Sequence, residues 1–112
     1  MRYRLFYFLL PLFLSATSLS QVSLQDKIGQ MIMVGFSGTT VSDSLKKDLQ
    51  SRNLGGVVLF ASNVTSPAQL KTLTNQLKSF SSTPLMIGID QEGGKVARLG
   101  SSNGYQPTNS AY

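Results

Sequence analysis

Three short apolar runs, residues 31–36, 57–60 and 85–89, return at intervals of about 25 to 30 residues, the length of a strand, a crossover helix and the next strand. That rhythm is the strongest constraint on the fold. Between the first two runs, Val41, Leu45 and Leu49 stand four apart with Asp43, Lys46, Lys47 and Gln50 among them, the pattern of a surface helix with one apolar stripe, ending near Asn53. Between the second and third, Ser66 stands as N-cap, Pro67 as N1 and Gln69 as the N3 member of a capping box. Leu70, Leu73, Leu77 and Phe80 then keep helical spacing until 81–84 stops them. Ahead of the first run, Ser23 and Asp26 open a short helix that places Leu24, Ile28 and Met31 on one face. The expectation is an α/β chain with a parallel sheet, whose first strand, apolar throughout, is covered on both faces.

The first twenty residues read differently. Arg2 and Arg4 precede an apolar stretch, 5–14, and Ser18-Leu19-Ser20 offers small residues for cleavage. The stretch is about ten residues, too short for roughly 30 Å of hydrocarbon. Residues 1–20 are expected to be an export signal and 21–112 the α/β domain, giving a periplasmic or extracellular protein with no membrane attachment after cleavage. Residues 1–20 hold two of the ten Lys/Arg and none of the five Asp/Glu. The remainder has eight against five, a net +3 in place of +5. Its cations are scattered, without the concentrated stripe of a nucleic-acid reader, so no nucleic-acid partner is expected. With no cysteine there is no disulfide staple and no thiolate metal site. With no histidine the commonest metal ligand and neutral-pH base are missing too. No metal site built on thiolate or imidazole is therefore expected.

Chemistry concentrates where the third run ends. Asp90-Gln91-Glu92-Gly93-Gly94 places two carboxylates and a turn at a strand terminus, with Lys95 and Arg98 following. Open α/β sheets bind ligands at the carboxyl ends of their strands. Asp90 and Glu92 invite comparison with the acid/base and nucleophile of a retaining glycosidase, which stand about 5 to 5.5 Å apart. Two residues at i and i+2 on a turning chain do not flank a bond from opposite sides, so neither is assigned to bond cleavage. A second reading is a non-catalytic α/β module in which Asp90 and Glu92 hold a cation or ligand. Asn63-Val64-Thr65 is also a glycosylation sequon.

Taken together, residues 27–36, Gly55-Gly-Val-Val-Leu-Phe60 with Asn63, Ser66-Pro-Ala-Gln-Leu70, Ile89-Asp-Gln-Glu-Gly-Gly94 and Arg98-Leu-Gly100 resemble, in one order, the start of the N-terminal domain of glycoside hydrolase family 3. The likeness is to the bacterial β-N-acetylglucosaminidase (β-hexosaminidase) branch. It implies the first three βα units of a (β/α)₈ TIM barrel, an incomplete piece of a fold that takes about 250 residues, with the missing C-terminal part of the barrel as its partner. It implies a retaining hydrolase of terminal β-linked N-acetylglucosamine, such as an amino sugar derived from peptidoglycan, working with no metal or organic cofactor, with a family 3 β-glucosidase specificity as the alternative. By the same resemblance Asp90 accepts hydrogen bonds from hydroxyls of the sugar in the −1 subsite, and Arg98 helps hold that sugar. The nucleophilic Asp and the acid/base His are expected beyond Tyr112. Glu92 and Lys95 are expected to build the loop or pair with each other. Lys95 stands where the family often has Arg, and Ser62 where an Arg often precedes the residue matching Asn63.

Overall fold

The computed structural model describes residues 22–106 of the chain. The expected export signal falls on residues 1–20, outside the described residues. Among the described residues no helix is long and apolar enough to cross a membrane.

A helix, α1 (Leu24–Gln30), leads into β1 (Met33–Gly35). Then come α2 (Asp43–Arg52), β2 (Gly56–Leu59), α3 (Pro67–Phe80) and β3 (Met86–Ile89). The strands form one parallel sheet in the order β1-β2-β3, with Val34 opposite Val57 and Val57 opposite Ile87. The alternation expected from the apolar runs is therefore present, with a parallel crossover through each of α2 and α3.

Each helix begins where a side chain can take up an orphan N–H. Ser23, Ser42 and Ser66 accept from Asp26, Leu45 and Gln69 respectively. The capping box at α3 differs from expectation. The Gln69 side chain passes over Ser66 and accepts from the N–H and hydroxyl of Thr65, because its amide also donates to the Thr39 and Asn63 carbonyls. Asn53 ends α2 in the left-handed region at φ 48°, which an asparagine tolerates.

The core lies between one face of the sheet and helices α2 and α3. Leu49, Val57, Leu59, Leu73 and Leu77 are sealed from solvent, with Leu45, Leu54 and Leu85 beside them. Burying each such side chain contributes roughly 1.5–3 kcal/mol. Lys46 Nζ stands 4.8 Å from the centre of the Phe80 ring and joins the two helices at the rim of this core.

The opposite face of the sheet is thinly covered. Met33 lays its thioether over Gly56 and approaches Gly88, and the Phe60 ring lies against Gly35. Met33 is 43% exposed and Met86 65%. This corrects the expectation for the first apolar run. Only Met33–Gly35 of it pairs, and it is not covered on both faces, since no helix layer lies over that side among the described residues. The apolar face of α1 is likewise open, Leu24 being 73% exposed.

The two ends of the strands serve different purposes. At the amino ends the chain is tied for stability. Gln30 Nε2 donates to the Asn53 carbonyl, the Asn53 side chain and Thr83, and Thr83 in turn donates to Asn53. At the carboxyl ends lie the loops after β1 and β2, and Asp90.

Candidate functional site

Asp90 is the first residue past β3. Its N–H donates to the Leu59 carbonyl at 3.0 Å, one bond beyond the paired residues of the strand, so its backbone has the rigidity of the sheet. The register sets Gly88 opposite Val58 on the thinly covered face, and Asp90, two residues on, continues that row at the end of the sheet.

The chain then reverses. Glu92 and Gly93 donate their N–H groups to the Val96 carbonyl, and Val96 donates back to Gly93. Gly93 and Gly94 take φ of 86° and 56°, a conformation that side chains other than those of glycine, asparagine and aspartate adopt at a cost. This turn returns Arg98 to Asp90, where Nη2 donates to Oδ2 at 2.7 Å. The pair is partly buried, with side chains 24% and 31% exposed respectively. Arg98 Nε is buried and has no hydrogen-bond partner among the described residues.

The two residues singled out in the sequence are thus brought together, as an ion pair. Glu92 builds the loop through its backbone. The expected alternative, a Glu92–Lys95 pair, does not form: among the described residues the ion pairs are Arg98–Asp90 and, far away on α2, Arg52–Asp48. Among the described residues no three His, Cys, Asp or Glu side chains gather as metal ligands, and the Asp90 carboxylate that a cation module would use is turned to Arg98. An open cleft of about 330 Å³ lies between β1 and α2, lined by Val34, Phe36, Ser42, Leu45 and Asp48, away from Asp90.

Three residues to which sequence reasoning gave no part in the site shape this end of the sheet. Gln91 Oε1 accepts from the N–H groups of Arg98 and Leu99, and Asn103 Nδ2 donates to the Arg98 carbonyl. Asn63, with no exposed surface, accepts from Phe60 N–H and donates to the carbonyls of Phe36 and Gly38, locking the loop after β1 to the loop after β2. Its position in a sequon is therefore incidental in the folded chain, for both amide protons are spent inside. Replacing it by alanine leaves three part-buried backbone groups without their partner, at about 1 kcal/mol each. Asn63→Ala is expected to destabilise the fold by about 3 kcal/mol, read from the midpoint of denaturant unfolding of a complete barrel that carries this segment.

Comparison with known proteins identifies the family. The description of the glycosyl hydrolase family 3 N-terminal domain matches residues 23–112. The chain belongs to that family. A β-hexosaminidase of Nitrosomonas eutropha is 45% identical over 68 residues, 61% of this chain and 20% of that protein. A family 3 β-N-acetylglucosaminidase of Paenibacillus sp. superposes with a TM-score of 0.73 at 36% identity, over 80% of this chain and 17% of that one. NagZ of Neisseria gonorrhoeae, solved with N-trifluoroacetyl-D-glucosamine, superposes with a TM-score of 0.56 at 34% identity, over 60% of this chain and 20% of that one. This family 3 chain spans about a fifth of the length of the curated relatives it matches.

Proposed function

We propose that this chain forms the first three βα units of a (β/α)₈ barrel in an exported retaining glycoside hydrolase acting on terminal β-linked N-acetylglucosamine, including sugars derived from peptidoglycan. Asp90 and Arg98 grip the sugar at the −1 position. The observation that carries this reading is the Asp90–Arg98 pair at the carboxyl end of the last strand, the edge where such barrels bind substrate. A carboxylate accepts two hydroxyl protons at once, and a guanidinium donates several bonds in one plane. Arg98 has donors in reserve, since Nη2 serves Asp90 and Nη1 is left to donate. Membership of family 3 and the names of the relatives support the amino-sugar substrate.

Bond cleavage belongs to other groups. The chain has no histidine, and Asp90 and Glu92, two residues apart on one turning segment, do not flank a bond from opposite sides. The nucleophilic carboxylate is assigned to a later strand of the barrel and the acid/base histidine to a later loop, and Asp90 and Arg98 fix the sugar against them.

The test uses a hybrid barrel, residues 23–112 of this chain seated in the Paenibacillus relative in place of the segment they match. The hybrid is expected to release nitrophenol from 4-nitrophenyl N-acetyl-β-glucosaminide, and the 112-residue chain alone to release none. The chain alone is also expected to fold poorly, given its exposed Leu24, Ile28, Met33 and Met86 and the outer edges of β1 and β3, which pair with no strand among the described residues. Hydrolysis by the isolated chain, or a folded hybrid that is inactive on this substrate, would contradict the proposal.

A further inference from the structure

We infer that Gln91 and Asn103 are positioning residues for Arg98, acting on sugar recognition through its backbone without touching the sugar; this rests on the reading of Asp90 and Arg98 above. Residues 98–100 lie in neither helix nor strand, so no ladder fixes them. Two side-chain amides replace it. Gln91 Oε1 accepts from Arg98 N–H at 2.6 Å and from Leu99 N–H at 2.9 Å. Asn103 Nδ2 donates to the Arg98 carbonyl at 2.7 Å, while its Oδ1 accepts from Gly100 N–H at 2.9 Å. Arg98 is thereby held at both its N–H and its C=O.

The chain order gives this grip its purpose. Gln91 directly follows Asp90, so the group that seizes the Arg98 amide is anchored to the same strand end as the carboxylate Arg98 must meet. Asn103 is fixed in its turn by its own N–H, which donates to the Gly100 carbonyl, and Tyr105 N–H donates to that same carbonyl. A guanidinium sits at the end of a long, rotatable side chain, and its aim depends on where its Cα is held. A misplacement near 1 Å can cost about a hundredfold in rate.

A double-mutant cycle in the hybrid barrel tests this, because a residue that acts only through Arg98 has nothing left to do once Arg98 is gone. Expected values of kcat/KM on the chromogenic N-acetylglucosaminide fall about a hundredfold for Arg98→Ala and about tenfold for Gln91→Leu. The double variant should lie within about twofold of Arg98→Ala alone, and Gln91→Glu, which keeps the acceptor, within about threefold of the parent. A double variant some thousandfold down would make the effects independent and overturn the positioning role, leaving the sugar-binding reading intact. An Arg98→Ala variant of full activity would instead sink that reading and the positioning role with it. Should Gln91→Leu not fold, Asn103→Ala goes through the same cycle with the same two outcomes.

Discussion

Asp90→Ala in the hybrid barrel is expected to lower kcat/KM on a β-N-acetylglucosaminide about a thousandfold. A hydrogen bond to a charged group contributes roughly 1.5–3 kcal/mol. Two such bonds to sugar hydroxyls come to about 4 kcal/mol, which is three orders of magnitude in rate. The variant also removes the partner that holds Arg98 Nη2 at 2.7 Å, so the second sugar contact loses its orientation. Asp90→Asn keeps the shape and one acceptor and is expected to fall less, about thirtyfold. The competing explanation, loss of fold, is weak on magnitude. The pair is a quarter to a third exposed, and ion pairs in contact with solvent contribute no more than about 1 kcal/mol. The unfolding midpoint should therefore move by only a few degrees while activity collapses. A kcat/KM within threefold of the parent would remove Asp90 from the site.

At the other end of the strands the expected result is the reverse, a loss of fold. A Cβ placed on Gly29 would lie 2.0 Å from the Arg52 carbonyl oxygen, and one on Gly55 would lie 2.0 Å from that of Gln30. Both obstacles are backbone, which no rotamer change relieves. The close approach is also bonded, since Gly55 N–H donates to the carbonyls of Gly29 and Ile32. Gly29→Ala or Gly55→Ala must drive α1 away from the end of α2 and break these bonds, at a cost of roughly 3 kcal/mol or more. In the hybrid barrel that corresponds to a fall in Tm of about 10 °C. Gly100→Ala, in a loop at φ −128°, serves as the control. Its added Cβ would meet the Ala97 carbonyl oxygen at 4.0 Å, an ordinary contact, and Tm should stay within about 2 °C. Equal effects at the three positions would refute the close packing of α1 on the end of α2.

How far the sequence could be read follows the range of the interactions. Helix starts at Ser23, Ser42 and Ser66 depend on a partner three residues away, and two of them were visible as motifs. The Gly93-Gly94 reversal announced itself, because adjacent glycines after a strand signal positive φ. Asp90 and Arg98 were both singled out, but their direct pairing was not. Spacing of eight residues across a turn says nothing about where a guanidinium points. The Gln30–Asn53–Thr83 tie joins residues 23 to 53 positions apart, and no local pattern marks it. Gln91 was hidden inside a recognised motif, where its neighbours' charges drew attention away from its neutral acceptor. The first strand was expected to be longer and fully covered because a continuous apolar run does not reveal how many of its residues find a partner strand, nor what lies over its second face.

The crystal structure of the hybrid barrel with N-acetylglucosamine bound tests the central claim most directly. The account predicts both Asp90 carboxylate oxygens within about 3.2 Å of sugar hydroxyls, with Arg98 still in contact with Asp90 or the same sugar. A sugar seated with the Asp90 carboxylate more than about 5 Å from every hydroxyl, beyond the reach of a hydrogen bond, would contradict it.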